Sequence, residues 1–158
     1  MEKLMETVVA ILGGSKVTLE LFIVTLVMAL PLGLLVSLAR VSALKLLSRL
    51  MELYIWIMRG TPLMLQLLFV YFALPMIGVR LADITAALLA FTLNYAAYFA
   101  EIFRAGIQSI ERGQYEAAKT LGMTYVQTMR RIVIPQMIRR VLPPISSETI
   151  NLVEDTAP

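Results

Sequence analysis

The chain has 158 residues, of which 59% are hydrophobic and 16% are charged, and its net charge is +3. Soluble domains carry about 45–50% apolar and about 25% charged residues, so this composition is typical of a protein that resides in a lipid bilayer. Cysteine and histidine are both missing from the sequence, which excludes disulfides and thiolate metal sites and removes the commonest general base. We therefore predict no catalytic site and no metal site. We also predict no nucleic-acid partner, because the basic residues flank hydrophobic spans, where the positive-inside rule accounts for them.

The hydropathy pattern predicts an all-α fold, a polytopic membrane helix bundle with about four transmembrane helices. A spanning helix needs roughly 20 mainly apolar residues, and we place spans at about 17–39, 60–79, 83–104 and 137–155 of a single domain, 1–158. The last window contains Glu148. Because an acidic residue at bilayer depth usually faces a bundle interior or a watery path, this window is either a pathway-lining helix or no span at all.

The amino-terminal residues, 1–16, are predicted to form a short amphipathic outer segment that ends in a turn at Gly13. A cleaved signal peptide is the alternative, but its leader would be basic, whereas this one is charge-balanced. We expect a retained first span that is broken or bent around Pro31 and Gly33, since proline removes a backbone donor.

Apolar residues between Arg40 and Arg59 recur at close to helical spacing. This segment is either an interfacial helix that leads into the second span or an extension of the first span. The second span then starts at Arg59-Gly60-Thr61-Pro62, with its proline near a helix start, where the missing N–H costs nothing.

The third span carries polar residues at its middle and inner end. Asn94 lies in the middle, where a lone amide most often bridges to a neighbouring helix; contact with a transported solute is the alternative. Glu101 and Arg104 are three residues apart on one helical face, which predicts a structural ion pair.

The polar segment 108–135 predicts two short helices separated by a turn. The first suits residues 114–121, Gly122 supplies a positive-φ position that ends it, and Thr124 can cap the second, which we expect Pro135 to terminate. By composition alone this segment is an ordinary helical hairpin.

The basic residues are distributed unevenly between the two sides of the predicted spans. With the amino terminus outside, only Lys3, Lys16 and Arg80 of the 14 basic residues lie outside. The positive-inside rule therefore predicts an outside amino terminus and a cytoplasmic 108–135 loop. The eleven basic residues on the inside are Arg40, Lys45, Arg49, Arg59, Arg104, Arg112, Lys119, Arg130, Arg131, Arg139 and Arg140.

The same loop resembles the EAA loop of ABC importer permeases. The family pattern is E-A-A, three residues, G, nine residues, I, one residue, L, P, and only Ile134, in place of leucine, departs from it. The matching residues are Glu116, Ala117, Ala118, Gly122, Ile132 and Pro135.

The resemblance implies a coupling loop that docks into an ATPase subunit. Glu116, Ala117, Ala118 and Gly122 would be the coupling residues, with the alanines allowing close approach. The implied partners are a dimer of ABC ATPase subunits, a second permease subunit and an extracytoplasmic amino-acid-binding protein, all at a prokaryotic cell membrane. This chain has no phosphate loop of the form GxxxxGK[ST], so it needs no cofactor, and ATP and Mg²⁺ would bind to the partner ATPase.

Three further segments are similar to the polar amino-acid branch of this family: Arg59 to Pro62, Ala97 to Gly106 and Ile132 to Gln136. Glu148 matches an acidic position of that branch, and a carboxylate facing the path would favour a cationic amino acid. Pairing with an arginine, or packing at a helix interface, is the alternative. Asn94, Glu148 and Asn151 are the predicted substrate-pathway residues.

Members of the family continue through at least one more hydrophobic helix, so the chain is predicted to lack the last family helix. The predicted function is a permease subunit of an ATP-driven importer for polar amino acids, the basic ones included. The alternative is a truncated, non-transporting membrane scaffold or assembly fragment that binds the ATPase. A channel or secondary transporter is disfavoured because no inverted repeat is visible.

Overall fold

The structure, a computed structural model, describes the backbone of residues 2–157 and the side chains of Met5 and residues 13–157. Met1, Pro158 and the side chain of Lys3, which enters the charge count, lie outside this description. Every regular element within residues 2–157 is helical, which confirms the predicted all-α class. The elements are Glu2–Arg40, Lys45–Gly60, Leu63–Leu68, Phe69–Ala73, Leu74–Met76, Asp83–Gln108, Arg112–Thr120, Tyr125–Thr128, Met129–Val133 and Ile134–Thr156.

Two helices are long and apolar enough to cross a bilayer. They are the N-terminal helix, over Gly13–Arg40, and the central helix, Asp83–Gln108. The second helix, Lys45–Gly60, and the third helix, Leu63–Met76, are long and apolar enough only when taken together, and the angle between them is 105°. They make a third span if the pair counts as one broken crossing. The C-terminal helix, Ile134–Thr156, is not among the described helices that are long and apolar enough, so the fourth span stays a prediction.

The N-terminal helix corrects two expectations. It runs without interruption from Glu2 to Arg40, through the turn expected at Gly13 and past Pro31 and Gly33, where a break or a bend was expected and no break occurs. In a bilayer an unpaired backbone group costs several kcal/mol, so the chain keeps a helical backbone through Gly33 and through Pro31, although proline itself has no N–H to donate. Pro31 is exposed, and its ring therefore faces away from the rest of the chain.

The second helix is a separate element and not an extension of the N-terminal helix, because a turn at Val41–Leu44 divides them. Arg40 forms an ion pair of 2.7 Å with Glu52, and its guanidinium donates a hydrogen bond of 2.9 Å to Ser48 Oγ. The Tyr54 hydroxyl donates to the Leu93 carbonyl at 2.5 Å. These contacts fix the second helix against its two neighbours.

Two π-helical turns precede prolines, and they explain why the helices continue through them. Phe69–Ala73 comes two residues before Pro75, and Met129–Val133 comes two residues before Pro135. A proline ring clashes with the carbonyl four residues earlier, and the wider π turn relieves that clash. The expectation that Pro135 terminates the second loop helix is therefore wrong: Ile134, which links the π turn to the C-terminal helix, keeps a helical backbone.

The central helix packs against the N-terminal, second, third and C-terminal helices and holds more of the buried residues than any other described element. It approaches the N-terminal helix closely at Gly33, where an added Cβ would lie 2.8 Å from Phe99 Cβ and 3.0 Å from the Ala96 carbonyl oxygen. Small residues let membrane helices approach in this way. The central helix therefore positions the other elements of the fold.

Candidate functional site

The three predicted pathway residues lie on the wall of one open cleft. Asn94 comes from the central helix, whereas Glu148 and Asn151 come from the C-terminal helix. The cleft has a volume of about 560 Å³, and we call it the acidic cleft because three carboxylates line it against one guanidinium. The charged residues of its wall are Glu148, Glu154, Asp155 and Arg59.

Asn94 is also the interhelical bridge that its position predicted. Its side chain is 3% exposed, and its amide nitrogen donates to the Met58 carbonyl and to Gln66 Oε1, both at 3.1 Å. Gln66 in turn donates to the Met58 carbonyl at 2.9 Å and to Thr61 Oγ1 at 2.7 Å. The two amides therefore hold the bend between the second and third helices against the central helix.

Gln66 was not among the predicted site residues, although its position in the sequence indicated a hydrogen-bonded role. Gln66 is the one amide within the apolar run 63–68, and a lone amide in such a run predicts a hydrogen-bonded partner, as it did for Asn94.

Glu148 has no basic group within 4 Å among the side chains that the structure describes. Its nearest polar contact is the Asn151 amide nitrogen, at 3.4 Å. The predicted alternative of an arginine ion pair is therefore not what this structure contains. Deeper in the cleft, Asp155 Oδ2 accepts a hydrogen bond of 2.6 Å from the buried Tyr95 hydroxyl, which ties the end of the C-terminal helix to the central helix.

A second open cleft, of about 480 Å³, adjoins the first. It extends to Ser109 and Arg140, beside the predicted coupling loop, and we call it the loop-side cleft. Arg59, Tyr98 and Glu148 line both clefts.

The wall shared by the two clefts was not predicted as a site. The guanidinium carbon of Arg59 lies 5.2 Å from the centroid of the Tyr98 ring. Nearby, Arg104 Nε donates to Glu101 at 2.9 Å, which confirms the predicted ion pair. The Arg59–Tyr98 contact has no sequence signal because it joins residues 39 positions apart.

The predicted coupling loop forms the helix Arg112–Thr120, a turn and a second helical segment from Tyr125. Gly122 has φ +69° and Thr124 caps the second segment, as predicted. In the capping box, the Gln127 N–H donates to Thr124 Oγ1 at 3.3 Å and the Thr124 N–H donates to Gln127 Oε1 at 2.9 Å. The angle between the two segments is thus held by local bonds.

The four predicted coupling residues differ in exposure. Glu116, Ala117 and Gly122 are exposed, whereas Ala118 is fully buried within this chain. Ala118 therefore packs inward and does not offer the close-approach surface that was expected of both alanines.

Large apolar side chains surround the exposed turn at Gly122. Leu121 is 77% exposed and Val126 70% exposed, and Tyr125 is exposed as well. These three residues could have been predicted from the sequence, because apolar residues beside a turn glycine are unusual in a polar loop. An exposed apolar patch of this kind marks a contact surface for another molecule.

The helix Arg112–Thr120 is tied to the two helices that flank the loop. The Tyr115 hydroxyl donates to the Ile107 carbonyl at 3.3 Å, and Gln136 Nε2 donates to Gln114 Oε1 at 3.3 Å. Arg140 of the C-terminal helix donates to the Ser109 carbonyl at the end of the central helix, which joins the two flanking helices to each other. Burial raises the pKa of the Tyr115 hydroxyl above its ordinary value, and the hydroxyl is a protonated donor at neutral pH. These bonds connect the loop helix to the central and C-terminal helices.

Comparison with known proteins gives consistent matches along the chain. Residues 19–158 match the family described as binding-protein-dependent transport system inner membrane component. The probable amino-acid ABC transporter permease YckA of Bacillus subtilis is 45% identical over 91% of this chain and 64% of its own length. The arginine transport system permease ArtQ of Bacillus subtilis is 40% identical over 93% of this chain and 68% of its own length.

Solved structures agree. The crystal structure of an amino acid ABC transporter with histidines superposes with a TM-score of 0.88 at 36% identity, covering 98% of this chain and 72% of that one. The MetNI methionine ABC transporter, at 22% identity and a TM-score of 0.70 over 98% of this chain and 73% of that one, shares the fold. The chain spans less than two thirds of the length of YckA and of the L-cystine permease TcyB of Bacillus subtilis, 64% and 62%.

Proposed function

Because the chain belongs to the family of binding-protein-dependent transport system inner membrane components, we propose that it is a membrane-spanning permease subunit of an ATP-driven importer for polar amino acids. One observation carries this proposal. The central and C-terminal helices line a cleft with charges of both signs, and the loop with the exposed apolar turn connects these same two helices. The cleft would bind the solute, and the loop would transmit the movement of the ATPase to the permease.

The acidic cleft supports basic amino acids as the preferred solutes. An amino acid with a cationic side chain carries two positive groups and one carboxylate at neutral pH. Three carboxylates and one guanidinium line the cleft, which is the complementary balance of charge. Asn94, Glu148 and Asn151 would contact the passing solute, with Glu148 facing its cationic side chain.

The coupling loop supports a separate ATPase as the source of energy. Glu116, Ala117 and Gly122 would face the ATPase, with Leu121 and Val126 as apolar contacts. Ala118 would act from inside, by letting the loop helix pack closely. ATP and Mg²⁺ would be bound by the partner, and this chain would carry no catalytic residue.

The complete importer would contain two permease subunits, two ATPase subunits and an extracytoplasmic binding protein. The chain would lie in a prokaryotic cell membrane with its amino terminus outside and the coupling loop in the cytoplasm, as the distribution of basic residues favours.

Uptake by the reconstituted complex tests the proposed function. The permease would be assembled with its ATPase in proteoliposomes, and ATP-dependent uptake of radiolabelled arginine, lysine, histidine, glutamine and glutamate would be measured with the binding protein present. We expect uptake of polar amino acids, with the basic ones favoured. Glu148→Gln should reduce the preference for basic over neutral amino acids by roughly tenfold, the factor for one lost charge-assisted contact of about 1.4 kcal/mol.

Glu20→Gln is the matched control, because Glu20 is exposed on the N-terminal helix and lines neither cleft. It should leave selectivity unchanged. An unaltered selectivity in Glu148→Gln would remove Glu148 from the pathway. Binding of the ATPase without uptake of any amino acid would contradict transport and favour the scaffold alternative.

A further inference from the structure

The two clefts share one stretch of wall. Arg59, Tyr98 and Glu148 are the three side chains that line both. From this wall the acidic cleft extends toward Asn151, and the loop-side cleft extends toward Arg140 and the coupling loop. A solute that moves between the clefts therefore passes these three side chains.

Arg59 is held at the wall by an aromatic face. Its guanidinium carbon lies 5.2 Å from the Tyr98 ring centroid, within the roughly 6 Å range of a cation–π contact. Among the side chains that the structure describes, no carboxylate lies within 4 Å of Arg59. The Tyr98 ring is thus the contact that keeps the guanidinium in place, and the guanidinium makes no ion pair with a described carboxylate.

The backbone on both sides of this contact is fixed. Arg59 lies in the last turn of the second helix, just before the 105° bend. The preceding carbonyl, of Met58, accepts a hydrogen bond from Asn94, one helical turn before Tyr98. Because the backbone is anchored, Arg59 can leave the ring by side-chain rotation alone.

We propose that Tyr98 is a positioning residue that holds Arg59 as a partition between the two clefts, and that the amino acid passes when Arg59 leaves the ring. This inference rests on the proposed function. Within the described part of the chain the guanidinium makes no ion pair, so at the wall it repels a cationic side chain and attracts a carboxylate, and it opposes free diffusion of a basic amino acid past this point. When Arg59 leaves the ring, Glu148 is the carboxylate of this wall open to it, since Glu101 is already paired with Arg104. Pairing of Arg59 with Glu148 would release a cationic solute from that carboxylate.

Two substitutions of Tyr98 separate the aromatic face from the rest of the side chain. Tyr98→Phe keeps the ring and removes the hydroxyl, whereas Tyr98→Leu removes the ring. The complete transporter would be reconstituted with its ATPase and binding protein, and two quantities would be measured with radiolabelled arginine: efflux from preloaded vesicles without ATP, and arginine imported per ATP hydrolysed.

We expect Tyr98→Phe to match the unmodified transporter in both quantities. Tyr98→Leu should raise the ATP-independent efflux, and lower the arginine imported per ATP, by roughly fivefold to thirtyfold, the factor that loss of one such contact gives. Arg59→Gln should produce the same leak, and because Arg59 is exposed, this variant decides the matter if Tyr98→Leu does not assemble.

Each of the other outcomes overturns the partition. Absence of a leak in Tyr98→Leu and Arg59→Gln would do so, and so would equal defects in Tyr98→Phe and Tyr98→Leu, because the hydroxyl and not the ring would then be the important group. Either result would leave the proposed function standing, since the unmodified transporter still imports. If the unmodified complex imports none of the five amino acids, the proposed function fails and this inference fails with it.

Discussion

Gly122 shows how one residue can be tested for contact with a partner without a change in the fold. Its φ of +69° lies in the left-handed region, which glycine adopts without strain and which asparagine and aspartate tolerate better than other residues. A Cβ added there would meet no atom within 4 Å. Either substitution strains the backbone, and by a similar amount because asparagine and aspartate have the same shape, so a difference between the two variants falls on whatever docks against the turn.

We predict that Gly122→Asp abolishes binding of the ATPase subunit while the isolated permease keeps its melting temperature to within a few degrees. The aspartate adds bulk and negative charge at the exposed turn. Binding would be measured by co-purification and by stimulation of ATP hydrolysis. Gly122→Asn is the matched control for charge and should bind more strongly than Gly122→Asp. Normal assembly of Gly122→Asp would refute docking at this turn.

Helix crossings in this fold depend on how closely two backbones approach. At Gly33 an added Cβ would lie 2.8 Å from Phe99 Cβ, and both neighbours are fixed in the central helix. At Gly14, in the same N-terminal helix, an added Cβ would meet nothing within 4 Å. The two glycines thus provide the same chemical change in a tight and in an open environment.

We predict that Gly33→Ala destabilises the protein by about 1–3 kcal/mol, the typical cost of overpacking. Gly14→Ala should be neutral or stabilising by up to about 1 kcal/mol, because alanine has the higher helix propensity. Thermal unfolding in detergent, followed by circular dichroism, would compare them. Equal melting temperatures for the two variants would show that the crossing at Gly33 can widen without cost.

The helical elements were predictable from the sequence to the extent that local chemistry decides them. Gly122 and Thr124 were assigned correctly because positive φ and side-chain capping depend on neighbouring residues only. Pro135 was misjudged because the helix continues through it after a π-helical turn, and the break that was one of the two expectations at Pro31 does not occur. That outcome depends on the surroundings of the helix, which no short stretch of sequence contains.

At the scale of the whole molecule, the sequence predicted three residues of the acidic cleft, but it did not predict the contact between Arg59 and Tyr98 on the wall that the two clefts share. Asn94, Glu148 and Asn151 were chosen because polar groups are costly inside apolar spans, and they lie on one cleft. Arg59 was assigned only to the start of a span, since an arginine there already satisfies the positive-inside rule. Its place beside Tyr98 follows from the packing of the second helix on the central helix, which is a tertiary property.

The orientation of the whole chain is the prediction that unites its charges with its proposed function. Only Lys3, Lys16 and Arg80 of the 14 basic residues fall on the predicted outer side. The other eleven lie on the same side of the membrane as the coupling loop, which the positive-inside rule predicts to be the cytoplasm, where an ATPase could reach the loop.

Since the chain has no cysteine, a single introduced thiol reports the side of the membrane on which it lies, without background labelling. In intact cells, a membrane-impermeant maleimide should label Lys16→Cys, and it should label Lys119→Cys only after the membrane is permeabilised. Both positions are exposed, so a failure to react reflects the membrane and not burial in the protein. The reverse pattern would invert the topology, place the coupling loop outside the cell and exclude an intracellular ATPase as its partner.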